Sequence, residues 1–193
     1  IINAYVILGR DINHSYEAVN PPNIEVQTDP FDKDFVRVIE KIPGVYEAEG
    51  RRIMQVRVRR GGENWQNLKL VAVSDFSGNI NQLNPIEGTQ YAGEDEIVLS
   101  QDMMHISGYQ PGDIVEIELP DGSNRSITVV GLVTDQMTAK RDPGSTNSVY
   151  MTLETLSSFG QDTYFNQLYV TVDQGSDSQL IESVATAIED QVK

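Results

Sequence analysis

The sequence predicts an α+β fold in which an α/β unit is split by a β-rich insert and the chain begins and ends in helices. Three observations predict it. Apolar residues recur at helical spacing over residues 31–42, between two stretches with strand alternation. Short β-branched runs separated by tight-turn residues crowd residues 76–147. Amphipathic helical patterns occupy both ends.

At the start, Ile1, Tyr5, Leu8, Ile12, Tyr16 and Val19 fall three and four residues apart. They form one narrow apolar stripe, so residues 1–19 are expected to be a helical stem packed on a neighbouring helix. Asn20-Pro21-Pro22 ends it, because proline cannot continue a helix. Ile24, Val26 and Thr28 alternate as a strand. Asp29 then reads as a helix cap, with Pro30 in the first turn and Asp32 as a first-turn acid. Phe31, Phe35, Val38, Ile39 and Ile42 give that helix its apolar face, and Pro43-Gly44 closes it.

Val45–Arg60 reads as a long strand, turned back at Gly61-Gly62-Glu63-Asn64 onto a partner strand through Leu68, Leu70 and Ala72. In the insert, residues 96–99 form a strand, and Ser100 is expected to cap a short helix that runs through Ile106 to Gly108. Gln110-Pro111-Gly112-Asp113 suits a type II turn. Residues 114–119 and 125–133 make a hairpin about Pro120-Asp121-Gly122. Beyond a loop at 141–147 come a strand at 149–152, a short helix at 153–159 and a strand at 167–172. Ser176, with Gln179 completing a capping box, opens a last helix whose face is Leu180, Ile181, Val184, Ala187, Ile188 and Val192. The expected organisation is a stem at 1–19, an α/β subdomain from 20–75 and 148–193, and an inserted β-rich subdomain at 76–147.

The chain has 193 residues, 39% of them apolar, which is enough to bury a core and too much for a disordered chain. It contains neither an apolar run of about 18 residues nor a signal-peptide pattern. It opens on Ile1-Ile2, which reads as a piece of a longer protein. A formal charge of −15 argues against nucleic acid and against anionic lipid as partners. One segment runs the other way: Arg51, Arg52, Arg57, Arg59 and Arg60 crowd one strand. Either this is a solvated face that balances acidic neighbours, the favoured reading, or it meets an anionic partner.

Cysteine is absent, which removes disulfides, thiol catalysis and thiolate metal sites, and fits an extracytoplasmic protein. Gly-x-x-x-x-Gly-Lys-Ser/Thr, Gly-x-Ser-x-Gly and His-Glu-x-x-His are all missing. The histidines, His14 and His105, are far apart in sequence and read as ordinary exposed residues. Asp29, Asp32 and Asp34 are explained as helix-start charges, since a calcium loop would need a glycine and a later glutamate. Glu94, Asp95 and Glu96 could at most hold a cation weakly; Asp113 reads as a turn residue, and Met103-Met104 as core filler. No catalytic, cofactor-binding or metal-ligating residue is assigned. The expectation is a protein that works by contact and transmitted force.

The order of features resembles a known family. An amphipathic stretch ends in Asn20-Pro21, and a helix closes in Ile42-Pro43-Gly44-Val45. Glu96-Ile-Val-Leu-Ser100 precedes Gly108-Tyr-Gln-Pro-Gly-Asp-Ile-Val115, and Val130-Gly-Leu-Val133 and Ser148-Val-Tyr-Met151 follow. Across the whole chain this is similar to the extracytoplasmic core domain of MacB-type and FtsX-like ABC transporter permeases, with Gly-x-x-Pro-Gly-Asp the best single match. The resemblance implies a split porter-like α/β half and an inserted β-rich half, lying between transmembrane helices. It further implies no catalytic residues, and as partners the rest of the permease and a cytoplasmic ATPase, with a second permease copy or an envelope protein as further candidates. A soluble extracytoplasmic solute- or cell-wall-binding module is the alternative.

Overall fold

The computed structural model describes residues 3–6, 19–101, 103, 107–135, 147–173 and 177–192. Its strands are β1 (Asn3–Val6), β2 (Ile24–Phe31), β3 (Val45–Arg59), β4 (Gln66–Val73), β5 (Asn84–Gly88), β6 (Glu96–Ser100), β7 (Ile114–Glu118), β8 (Asn124–Thr134), β9 (Ser148–Thr152) and β10 (Phe165–Val172). Its helices are α1 (Lys33–Ile39), α2 (Leu153–Ser158) and α3 (Ser178–Val192). The architecture is α+β and dominated by strands. Contacts divide it into unit 1, residues 1–51, 78–82 and 164–193, and unit 2, residues 52–77 and 83–163. The joints anticipated from sequence lie at 75/76 and 147/148. By contacts β3 is shared, its first half pairing with β10 and its second half with β4 and β7.

Unit 1 is an antiparallel sheet in the order β1-β2-β10-β3, the last contributing its first half. The sequence β2–α1–β3 followed by β10–α3, with β10 between β2 and β3, is that of a ferredoxin-like sheet. In the order of the chain, unit 2 is inserted at the central hairpin connection. The place of the final strand, beside β2, is taken by β1 from the start of the chain.

Alternation along the strands gives this sheet two different faces. Val26 and Leu168 pair across one face, as do Ile24 and Val170, and all four are buried. The apolar side of α3 (Ile181, Val184, Ile188) is buried too, and the helix packs on β1, β2 and β10. Gly50 belongs to this face, where a Cβ would come within 2.5 Å of the Phe165 ring, itself packed on Phe31. The opposite face is polar yet buried: Glu25, Gln167, Arg51 and Thr171 are all under a tenth exposed. There Gln167 donates to Glu25 Oε1.

Unit 2 is a closed ring. Pairing runs β3–β4, β4–β9, β9–β6, β6–β8, β8–β7 and back from β7 to β3. The register carries one buried apolar layer around its inside: Val56 opposite Leu68, Leu70 opposite Val149, Val149 opposite Leu99 and Leu99 opposite Leu132. Val115 opposite Ile127 and Ile117 opposite Val58 complete it. Each such side chain contributes about 1.5–3 kcal/mol on burial. On the outside, Val71, Tyr150 and Val98 form a second cluster with Val73, Ala92 and Val133, against which Phe76, Leu83 and Val130 pack.

Several local expectations shift. Residues 3–6 are a strand rather than part of a helical stem; the β-prone Tyr5 and Val6 gain a full set of partners on the edge of β2, which outweighs the helical spacing. Residues 7–18 of the proposed stem lie outside the described residues. β2 persists to Phe31, held by Phe165 of β10, so the cap moves from Asp29 to Asp32. Asp32 Oδ1 accepts from the backbone N–H groups of Asp34 and Phe35, at 3.0 and 3.1 Å. Asp177 caps α3, accepting from Gln179 N at 2.9 Å; Ser176, expected to open this helix, lies outside the described residues. Ser100 Oγ accepts from Ser148 N at 3.0 Å and ties β6 to β9; of the helix expected after it, Met103 and Ser107 are helical, and residues 102 and 104–106 lie outside the described residues. The Gln110–Asp113 turn forms as expected, with Gly112 at φ 96° and Asp113 N donating to Gln110 O at 3.1 Å.

Candidate interaction surface

Because β3 alternates, Arg57 and Arg59 leave the same outer face of the ring while Val56 and Val58 turn inward. β7 does the same beside it, with Glu116 and Glu118 outward and Val115 and Ile117 inward. The antiparallel register sets Arg57 opposite Glu118 and Arg59 opposite Glu116. Arg57 makes a fork on its partner, Nε to Oε1 at 2.9 Å and Nη2 to Oε2 at 2.6 Å. Arg59 Nε reaches Glu116 Oε2 at 2.5 Å. Trp65, just before β4, takes both guanidinium groups on its ring, at 5.3 and 4.4 Å from the centroid.

Arg60 at the end of the strand works differently. Its Nη1 donates to Asp113 Oδ2 at 2.9 Å and Gly108 O at 3.0 Å, and its Nη2 to Glu63 Oε1 at 2.9 Å. It thereby clamps the 107–113 turn to the end of β3, and those carboxylates, Glu63 first, raise its pKa above the ordinary arginine value. Tyr109 beneath it is fully buried, and burial pushes its phenol up. Arg52 donates to Asp162 at 3.0 Å. Arg51, in unit 1, pairs with Glu49 at 3.1 Å.

Each of the five arginines therefore faces a carboxylate. Arg57 and Arg59 make a charge-balanced face, whereas Arg51 is buried in unit 1 rather than solvated, and the five leave no cluster of open guanidinium groups for an anion. The signal was present in the sequence as Arg-x-Arg and Glu-x-Glu at strand spacing; their pairing across residues 57–59 and 116–118 was missed, as was the aromatic platform of Trp65. Beside this row Ile114, on the same face as Glu116, is 66% exposed.

The other candidates have structural duties. Asp32 caps α1 and Asp34 pairs with Arg37 at 2.6 Å, while Asp29 is exposed in β2. Glu96 Oε2 accepts from Gly93 N at 2.8 Å, and Asp95 N donates to Thr155 Oγ1 at 3.1 Å. Asp113 Oδ2 also accepts from Gln110 N, as a turn residue does. Met103 is fully buried. His14, Met104 and His105 lie outside the described residues. Among the described residues no group of three His, Cys, Asp or Glu is placed to hold a metal ion, and no helix is long and apolar enough to cross a membrane.

No family model and no curated protein sequence matches the chain. Solved structures do. The extracellular domain of the noncanonic ABC-type transporter YknZ from Gram-positive bacteria superposes with a TM-score of 0.59 at 16% identity, covering 84% of each chain. The periplasmic region of MacB from Actinobacillus actinomycetemcomitans gives 0.57 at 12% identity, over 98% of this chain and 82% of that one. A domain assigned to a permease protein from Porphyromonas gingivalis gives 0.53 at 16% identity, over 86% and 72%. The chain thus has the fold of MacB-like extracytoplasmic domains.

Proposed function

We propose that this chain is the non-catalytic extracytoplasmic domain of an ABC transporter permease, where it transmits conformational change and contacts substrate or a partner protein during export or lipoprotein release. The observation that carries this is the likeness in fold, over most of the chain, to extracytoplasmic domains of such transporters. Two features of the molecule suit it to the role. The ring of unit 2 is fully paired and packed on both surfaces, so it moves as a stiff body. Its outer face adds an ion-paired row with exposed Ile114 alongside, which suits contact with protein.

On this reading the chain lies outside the membrane, between membrane-spanning helices of the permease and opposite an ATPase. The test replaces residues 20–192 in the full-length protein by a flexible Gly-Ser linker. ATP hydrolysis in detergent is expected to persist while substrate export in vesicles is lost. Export at the wild-type rate would overturn the reading, and so would hydrolytic turnover of an export substrate by the purified chain.

A further inference from the structure

The connection from β4 to β5 does not run over the surface of the unit it serves. Its middle, Gly78–Gln82, is packed in unit 1, whereas the residues on either side belong to unit 2. Within unit 1, Ile80 and Asn81 are at most 2% exposed, unusual burial for a loop. Arg51, 5% exposed, donates through Nη2 to Ile80 O at 2.6 Å. Its Nε is held by Glu49 and its guanidinium lies 4.5 Å from the centroid of Tyr169.

The backbone of the segment is fixed from the other side as well. Asn81 N donates to Asn20 O at 2.8 Å, Gln82 N to Val19 O at 2.9 Å, and Asn20 Nδ2 to Asn79 O at 3.1 Å. Asn79 Nδ2 reaches Glu47 Oε1 at 3.2 Å. Gly78 passes so close to Glu49 that a Cβ would meet Oε2 at 2.8 Å. Just beyond its two ends, Phe76 and Leu83 pack against the outer apolar cluster of unit 2, and β5 begins at Asn84. The segment is thus held in the middle by unit 1, and the residues that flank it pack within unit 2.

We propose that residues 78–82 form a tension-carrying strap, latched by Arg51, through which displacement of the unit 1 sheet is passed to β4 and β5 of unit 2. This rests on the mechanical role proposed above. Arg51 is the latch because it is the buried cation that joins the sheet to the strap carbonyl, and removing it leaves Ile80 O without that donor.

Hydrogen exchange of the purified chain tests the latch. In Arg51→Met, the amides of Asn81 and Gln82 are expected to exchange roughly tenfold faster while those of β6 and β8 keep their rates. Unchanged exchange at Asn81 and Gln82 would overturn the latch, as would equal acceleration everywhere. Should Arg51→Met not fold, Asn20→Gly serves: it suits the left-handed backbone at that position (φ 49°) and deletes only the side-chain bond to the strap. A rise of about threefold confined to residues 79–82 is expected there, and no rise overturns the proposal.

A second arm uses the full-length permease. Arg51→Met is expected to raise the ATP consumed per substrate exported by roughly threefold, whereas Arg37→Met on exposed α1 leaves the ratio unchanged. A loosened strap with an unchanged ratio would overturn force transfer through it. Export that survives replacement of the entire chain would instead overturn the transporter reading itself.

Discussion

Arg60 and Tyr109 show how single residues hold the 107–113 turn. The guanidinium is tied to Glu63, Asp113 and backbone carbonyls, and the ring beneath it lies 5.3 Å away in a fully buried position. Burial, helped by the charge of Glu63, raises the phenol above its ordinary value. A raised folded-state value means that stability is intact below the ordinary phenol range and is lost as pH climbs toward the folded value. Urea unfolding of wild type and Tyr109→Phe at about pH 9 and about pH 11 should show the wild type losing more stability between them. Equal losses would mean that the phenol does not resist ionisation. At this scale the sequence was a good guide to residue roles: Asp113 is a turn residue, Met103 fills the core, and the arginines balance acids. It misplaced the cap of α1, because Asp29 has the right chemistry but Asp32 stands where the strand actually ends.

Elements with local signatures were legible. The long β3, its turn onto β4 and the β7–β8 hairpin all depend on neighbours in sequence, and alternation with Gly or Pro turns reveals them. What closes the ring is non-local: parallel β4–β9 and β6–β8 and antiparallel β7–β3 join residues far apart, and nothing in a single strand states its partner. The same holds for residues 3–6, where a helical stripe lost to an open strand edge. β8 also carries a constraint that only the fold explains. Thr89 crosses Gly131 so closely that a Cβ there would lie 1.8 Å from Thr89 O, a backbone atom that cannot turn aside. Gly131→Ala should therefore cost about 3 kcal/mol, read from the denaturation midpoint, whereas Gly61→Ala, with open space around it but φ 57°, should cost about 1 kcal/mol. Comparable losses in the two variants would show that β5 can yield at the crossing.

For the whole molecule, the mixed α+β class was readable from the alternation of helical and turn-rich textures. The interleaving was not. β3 serves both units in one unbroken run and the strap returns briefly to unit 1, so no change of texture marks either joint. The position of β10 between β2 and β3 then imposes an order in time. On a ribosome every strand of the ring is complete once Thr152 has emerged, and unit 2 has nothing further to wait for after residue 163. β2 and β3 are joined in the sheet through β10, so the unit 1 sheet cannot assemble until residues 165–172 are made. A chain ending at residue 163 should retain slow amide exchange in β6, β8 and β9 and show fast exchange in β2; protection of β2 in that fragment would contradict this order. The sheet of unit 1 thus closes only after the ring of unit 2 is complete, and Gly50, made long before, must keep its bare backbone clear for a phenylalanine ring that arrives later.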